Sequence, residues 1–195
     1  PLLPANPNAA PPGTFPLFDL AGISVRVHWS WLVVGYFEIS YRQNAYSTQA
    51  WNIAEYLSLF LLVFLHECGH AFACRSVGGQ AESIVLWPLG GVARLVPPFR
   101  PGALLWSIAA GPLVNLVLAI PLIVVAVLGS GLSPDASHYL TALAVINVTL
   151  FVFNVLPIYP LDGGQILRAI LWFFIGPVRS LKVAVIIGFI GCAAL

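Results

Sequence analysis

Five residues, His66-Glu67-Cys68-Gly69-His70, interrupt a stretch that is otherwise almost wholly apolar from Ile53 to Ala73. On an α-helix the two histidines sit one turn apart on one face, where both imidazoles can reach a single metal ion. Glu67 lies about 100° round from His66, close enough to act on a metal-bound water without ligating. The chemistry available to such a set is zinc-assisted hydrolysis. Ionisable groups in an apolar segment are costly unless partnered, which makes the cluster a functional hypothesis by default.

The elements that must position this cluster belong in lipid. The chain has 195 residues, 59% hydrophobic and only 8% charged, with a mean hydropathy of +0.94, whereas soluble domains carry about 25% charge. A formal net charge of +1 provides no basic field for nucleic acid, so no nucleic-acid partner is expected and the lipid bilayer is. The three cysteines, Cys68, Cys74 and Cys192, fall in apolar helical stretches and form no CxxC, so they read as small packing residues.

Hydropathy and turn signals lay out an all-α polytopic membrane protein. Pro1 to Gly22 reads as an extended, proline-rich tail, and residues 23–195 as one domain. Spans are expected over Val25–Tyr41, Trp51–Val77, Ala103–Leu128 and Tyr139–Leu156, with a further one opening near Val178, for five to six in all. Pro121 is expected to kink the third. Gln80–Val96, with Pro88-Leu-Gly-Gly91 at its centre, reads as a β-hairpin or a pair of short strands. Gln165–Ile175 is a helix too short for a ~30 Å hydrocarbon core. The lack of methionine, the opening Pro1 and the close at Leu195 within an apolar run lead to the expectation of a piece of a longer protein.

If the tail is cytoplasmic, all of the eight Lys and Arg except Arg42 fall on that side, a strong positive-inside bias. The cluster then lies roughly 22 Å along the second span, towards the cytoplasmic face. A catalytic zinc needs three protein ligands and one open position. Asp135 and His138 fall at the outer end, and Asp19 in the tail. Cys74 extends the two histidines into a line that one tetrahedral ion cannot span, and His28 reads as interfacial. Asp162 is preferred. It lies on the cytoplasmic side in a stretch broken by Pro157, Pro160, Gly163 and Gly164, and such broken backbone is tolerated where it lines a cavity. The other reading of Asp162 is an N-cap for the helix that follows.

With these placed, His66-Glu67-Cys-Gly-His70, Gly111-Pro-Leu-Val-Asn115 and Asn154-Val-Leu-Pro-Ile-Tyr-Pro-Leu-Asp162-Gly-Gly together resemble the site-2 protease family of intramembrane zinc metalloproteases, in the form without an inserted PDZ domain. The resemblance covers roughly residues 23 to 185. It implies one zinc on His66, His70 and Asp162, Glu67 as general base and acid, and Asn115 and Asn154 as polar groups near the reacting carbonyl. For both asparagines, hydrogen bonds between the third and fourth spans are the competing reading. It also implies a single-span membrane-protein substrate, and the 80–96 strands offer an edge to which an extended peptide could add. A metal transporter, or an inactive relative that binds a membrane partner, are the rival readings.

Overall fold

The structure, a computed structural model, describes residues 12–88 and 90–194. Its order is β1 (Thr14–Leu20), β2 (Ile23–His28), α1 (Ser30–Tyr41), α2 (Gln49–Ser76), β3 (Gln80–Trp87), β4 (Gly90–Val96), α3 (Pro101–Leu128), α4 (Pro134–Val155), α5 (Asp162–Ile175) and α6 (Pro177–Ala194), with a single 3₁₀ turn at Gly129–Gly131. Three of the described helices, α2, α3 with its 3₁₀ turn, and α4, are long and apolar enough to cross a membrane. α3 and α4 turn large apolar side chains outward, Val117, Ile120 and Val127 among them. A lipid environment requires such surfaces.

The region expected to be the first span is divided. Ile23-Ser-Val-Arg-Val-His28 alternates β-branched with other residues and forms a strand, leaving a helix of 12 residues. At 1.5 Å per residue α1 is about 18 Å long, too short for a ~30 Å core. The end of the tail is ordered as well. Thr14–Leu20 pairs antiparallel with β2 through a tight turn in which Ala21 and Gly22 both have positive φ, the backbone that two-residue hairpin loops require. Residues 1–11 of the tail lie outside the described residues, as does Leu89 at the expected Pro/Gly turn.

The expected hairpin at 80–96 is present, as antiparallel β3 and β4, but it is half of a larger sheet. The order is β1-β2-β3-β4, and β2 and β3 run parallel with Ser24 opposite Ser83 and Val27 opposite Leu86. A parallel pair needs a long crossover, here supplied by α1 and α2. Pro16 stands on the terminal strand β1 beside a register shift, where its missing N–H disrupts least.

α2 is buried on two sides. One side carries Val63, Cys68 and Ala71 into a core with Ile23, Val25, Ile84 and Leu86 of the sheet. Cys68 is thereby a packing residue. On the other side Gly69 meets α3, and a Cβ there would stand 2.7 Å from the Ala110 carbonyl oxygen. Small residues at such crossings let helix backbones approach closely. At the end of α2, the Arg75 guanidinium donates to the carbonyls of Ala21, Gly22 (3.0 Å) and Ala81 (2.8 Å), tying the helix to the β1–β2 turn and to β3.

The opposite end of α2 is tied by a polar cluster. Buried Glu55 accepts from Arg42 Nη2 at 3.1 Å and from the Tyr46 hydroxyl, and Arg42 Nη2 also reaches His138 Nε2 of α4 at 3.2 Å. Ser47 donates to Asp135 through its backbone N–H at 3.0 Å and through its hydroxyl. The connection between α1 and α2 is thus fastened to the start of α4. Burial, together with the hydrogen bond to Glu55, pushes the Tyr46 phenol well above the usual tyrosine value.

Candidate metal centre

Two helices bring four ionisable side chains together, three from α2 and one from α5. His66, Glu67 and His70 of α2 are all buried, and each offers an atom within 4.8 Å of the others. Asp162, the first residue of α5, places Oδ2 3.0 Å from His66 Nε2 and 3.3 Å from His70 Nε2, and the two Nε2 atoms are 3.0 Å apart. A tetrahedral zinc with bonds of about 2.1 Å separates its ligand atoms by about 3.4 Å. The observed triangle is close to that size.

Asp162 reaches this position because the backbone around it is glycine-dependent. A Cβ on Gly163 would strike the carbonyls of Val155 and Leu156, and one on Gly164 would come 2.7 Å from the Ile158 carbonyl carbon. Only with both glycines can the 155–161 segment fold back over the start of α5. Leu161, not Asp162, occupies the N-cap, and no side chain caps there. The carboxylate goes to the imidazoles instead.

The other ring nitrogen of each histidine decides whether a metal fits. His70 Nδ1 lies 2.9 Å from the Ser107 main-chain oxygen, which can only accept, so Nδ1 carries a proton. His66 Nδ1 lies 2.6 Å from Asn115 Oδ1 and donates likewise. In the neutral form that a metal ligand takes, both Nε2 atoms then present lone pairs. Two imidazole lone pairs and a carboxylate oxygen facing one another at 3.0 to 3.3 Å repel unless a proton or a metal cation stands between them. Metal-binding histidines are oriented in this way, the remote N–H held by a carbonyl or carboxylate. The donor set therefore fits a divalent metal.

α3 leaves room for it. A Cβ on Gly111 would collide with His70 Nε2 and stand 2.8 Å from His66 Nε2. The glycine of the Gly111-Pro112 pair is thus the floor under the ligand atoms.

The remaining sequence candidates are placed elsewhere. Cys74 Sγ donates towards the Gln80 carbonyl, and His28 hydrogen-bonds Ser30 at 2.6 Å while stacking on Trp87 at 3.9 Å between ring centroids. Asp19 is on β1, while Asp135 and His138 belong to the far polar cluster. Asn115 is in the site, but its amide oxygen is occupied by His66. Asn154 donates to the Leu150 carbonyl of its own helix at 3.0 Å. The asparagine of α4 that joins the site is Asn147, whose Oδ1 accepts from Asn115 Nδ2 at 2.9 Å and whose Nδ2 donates to the Asn115 main-chain oxygen at 2.8 Å. It lies seven residues before Asn154, two turns along the same helix face. That spacing was the available signal.

The chain resembles known proteins along most of its length. The profile of Peptidase family M50 matches residues 54–135 and 130–195. The zinc metalloprotease MJ0392 of Methanocaldococcus jannaschii is 34% identical over 174 residues, covering 88% of this chain and 50% of the relative. The putative zinc metalloprotease Rip3 of Mycobacterium tuberculosis is 34% identical over 179 residues, covering 80% and 43%. The chain thus spans about half the length of the curated relatives it matches. Among solved structures, the site-2 protease from Methanocaldococcus jannaschii superposes with a TM-score of 0.68 at 32% identity, covering 90% of this chain and 79% of that one. With the converging histidines and aspartate on apolar helices, these matches establish that the chain belongs to peptidase family M50, the site-2 proteases.

Proposed function

We propose that the chain is an intramembrane zinc metalloprotease that hydrolyses a peptide bond in or beside a transmembrane segment of a membrane-protein substrate. The observation that carries this reading is the convergence of His66 Nε2, His70 Nε2 and Asp162 Oδ2 within 3.3 Å, with both Nδ1 atoms committed to other acceptors. His66, His70 and Asp162 hold one zinc ion. That ion, when bound, acidifies water and polarises a carbonyl. Glu67, buried beside the two histidines, takes the proton of the attacking water and returns it to the departing amine. Burial of these groups among apolar helices strengthens each charge interaction.

The positive-inside bias supports a site opening towards the cytoplasm. Labelling of single cysteines introduced at Thr14 and at Gln43 from either side of sealed vesicles tests this; labelling of Thr14→Cys from outside would reverse the orientation. For the substrate, β4 is a terminal strand whose outer edge pairs with no other strand among the described residues, so an unwound peptide can add there. Crosslinking from Val96→Cys to cysteines walked along a single-span substrate should alternate with a period of two; a period of three to four would exclude strand addition.

The decisive comparison is wild type against Glu67→Gln, both purified, for zinc content and for cleavage of a single-span substrate. The protease reading expects zinc in both and cleavage in wild type alone. Metal flux across vesicles without cleavage would replace it with a transporter, and neither activity would leave an inactive binding protein.

A further inference from the structure

We infer that Asn147 is a positioning residue for the metal centre, which fixes the direction of the Asn115 amide and through it keeps the Nε2 lone pair of His66 facing the metal. The inference rests on the zinc reading above and concerns a residue that carries none of the motifs.

An amide has nearly the same shape when turned end for end, but its two ends do opposite things. With Oδ1 on His66 Nδ1, as observed at 2.6 Å, the imidazole must carry its proton on Nδ1. Turned round, the Asn115 NH₂ would face Nδ1, which would have to accept. The proton of the neutral ring would then move to Nε2, the atom that points at His70 and Asp162, and His66 could not ligate. The direction of one amide therefore decides whether one ligand exists.

Asn147 removes the choice. Its Nδ2 donates to the main-chain oxygen of Asn115 at 2.8 Å, and a main-chain carbonyl accepts in every circumstance. That fixes which end of the Asn147 amide is nitrogen. The oxygen end is then the acceptor for Asn115 Nδ2 at 2.9 Å, which fixes the Asn115 amide, which in turn fixes His66. Both asparagines are 0% exposed, so a lost partner is not replaced from bulk solvent. The two histidines thus obtain the same tautomer by different routes: His70 directly from the Ser107 carbonyl, His66 from the Asn115 carbonyl through two amides.

The test is a cycle in two backgrounds. Asn147→Leu, close to isosteric, and Asn147→Ala are made in the wild-type chain and in Asn115→Asp, where both side-chain oxygens accept and direction no longer matters. Zinc affinity is measured by competition with a chelator, on detergent-purified protein of native helical content. In the wild-type background loss of Asn147 should weaken zinc binding about 10- to 100-fold, the range for partners of metal ligands. In the Asn115→Asp background the same substitution should cost less than about threefold. Equal losses in both backgrounds would reduce Asn147 to packing and overturn the inference, as would unchanged affinity. If the leucine variant aggregates, the alanine variant carries the comparison. A wild-type chain that binds no stoichiometric zinc would overturn both this inference and the zinc reading, whereas zinc in wild type with indifference to Asn147 overturns this inference alone.

Discussion

Gly111 of α3 lies against the ring of His70, so closely that a single methyl group at Gly111 would occupy the place of the imidazole Nε2. Helix propensity alone would favour alanine at this position by about 1 kcal/mol, so Gly111→Ala should leave the fold intact. It should nevertheless displace both imidazoles and weaken zinc binding about 10- to 100-fold. Metal content and circular dichroism on the same preparation check this pair of outcomes. Stoichiometric zinc in the alanine variant would show that the floor is less rigid than its geometry requires.

Asp162 contributes a carboxylate but no cap. Asp162→Asn and Asp162→Ala should therefore abolish stoichiometric zinc and cleavage while α5 persists, at a cost of only about 0.3–1 kcal/mol from the lost charge at the helix N-terminus. Zinc analysis with thermal unfolding in detergent separates the two effects. Full zinc and full activity in Asp162→Ala would require another third ligand.

At the far end of α2, Glu55 is 4% exposed and takes hydrogen bonds from Arg42 and Tyr46. Removing one member of a largely buried pair strands the other, which costs about 3–5 kcal/mol, less here because the Arg42 side chain is 30% exposed. Glu55→Leu should lower the unfolding midpoint markedly, and adding Arg42→Leu should restore much of the loss. A double variant no more stable than Glu55→Leu would deny the coupling.

Tyr46 gives the same cluster a pH signature. Its phenol is held well above the free value near 10 by burial and by the bond to Glu55. A raised folded value means that the native state keeps its proton longer than the unfolded state does. The contribution is therefore complete below about pH 10 and declines as pH rises towards the folded value. Phenolate absorbance of Tyr46→Phe should match that of wild type up to about pH 11, because Tyr46 is not yet ionised. A missing phenolate signal in the variant near pH 10 would contradict this.

Much of this arrangement was legible in the sequence because it depends on local patterns. The apolar run around His66 and His70, the glycines after Asp162 and the hairpin at 80–96 each announce themselves within a dozen residues. What was not legible is pairing between distant segments. Ile23–His28 is apolar enough to pass for the start of a span, and its pairing with β1 and with the distant β3 makes it a strand. Asn147 belongs to none of the motifs, and its value depends on Asn115, which comes from another helix. Asn154, in the more conspicuous motif, bonds within its own helix.

The parallel register of β2 on β3 bears on how the molecule is made. As the chain leaves the ribosome, β1 and β2 can close their hairpin at once, but the second edge of β2 stays open until all of α1 and α2 have been synthesised. The sheet can be completed only after α2, the helix that carries His66 and His70, has been made. Until β3 follows, β2 keeps an unpaired edge, the kind of surface that can pair wrongly, and the non-local contact that closes it forms late.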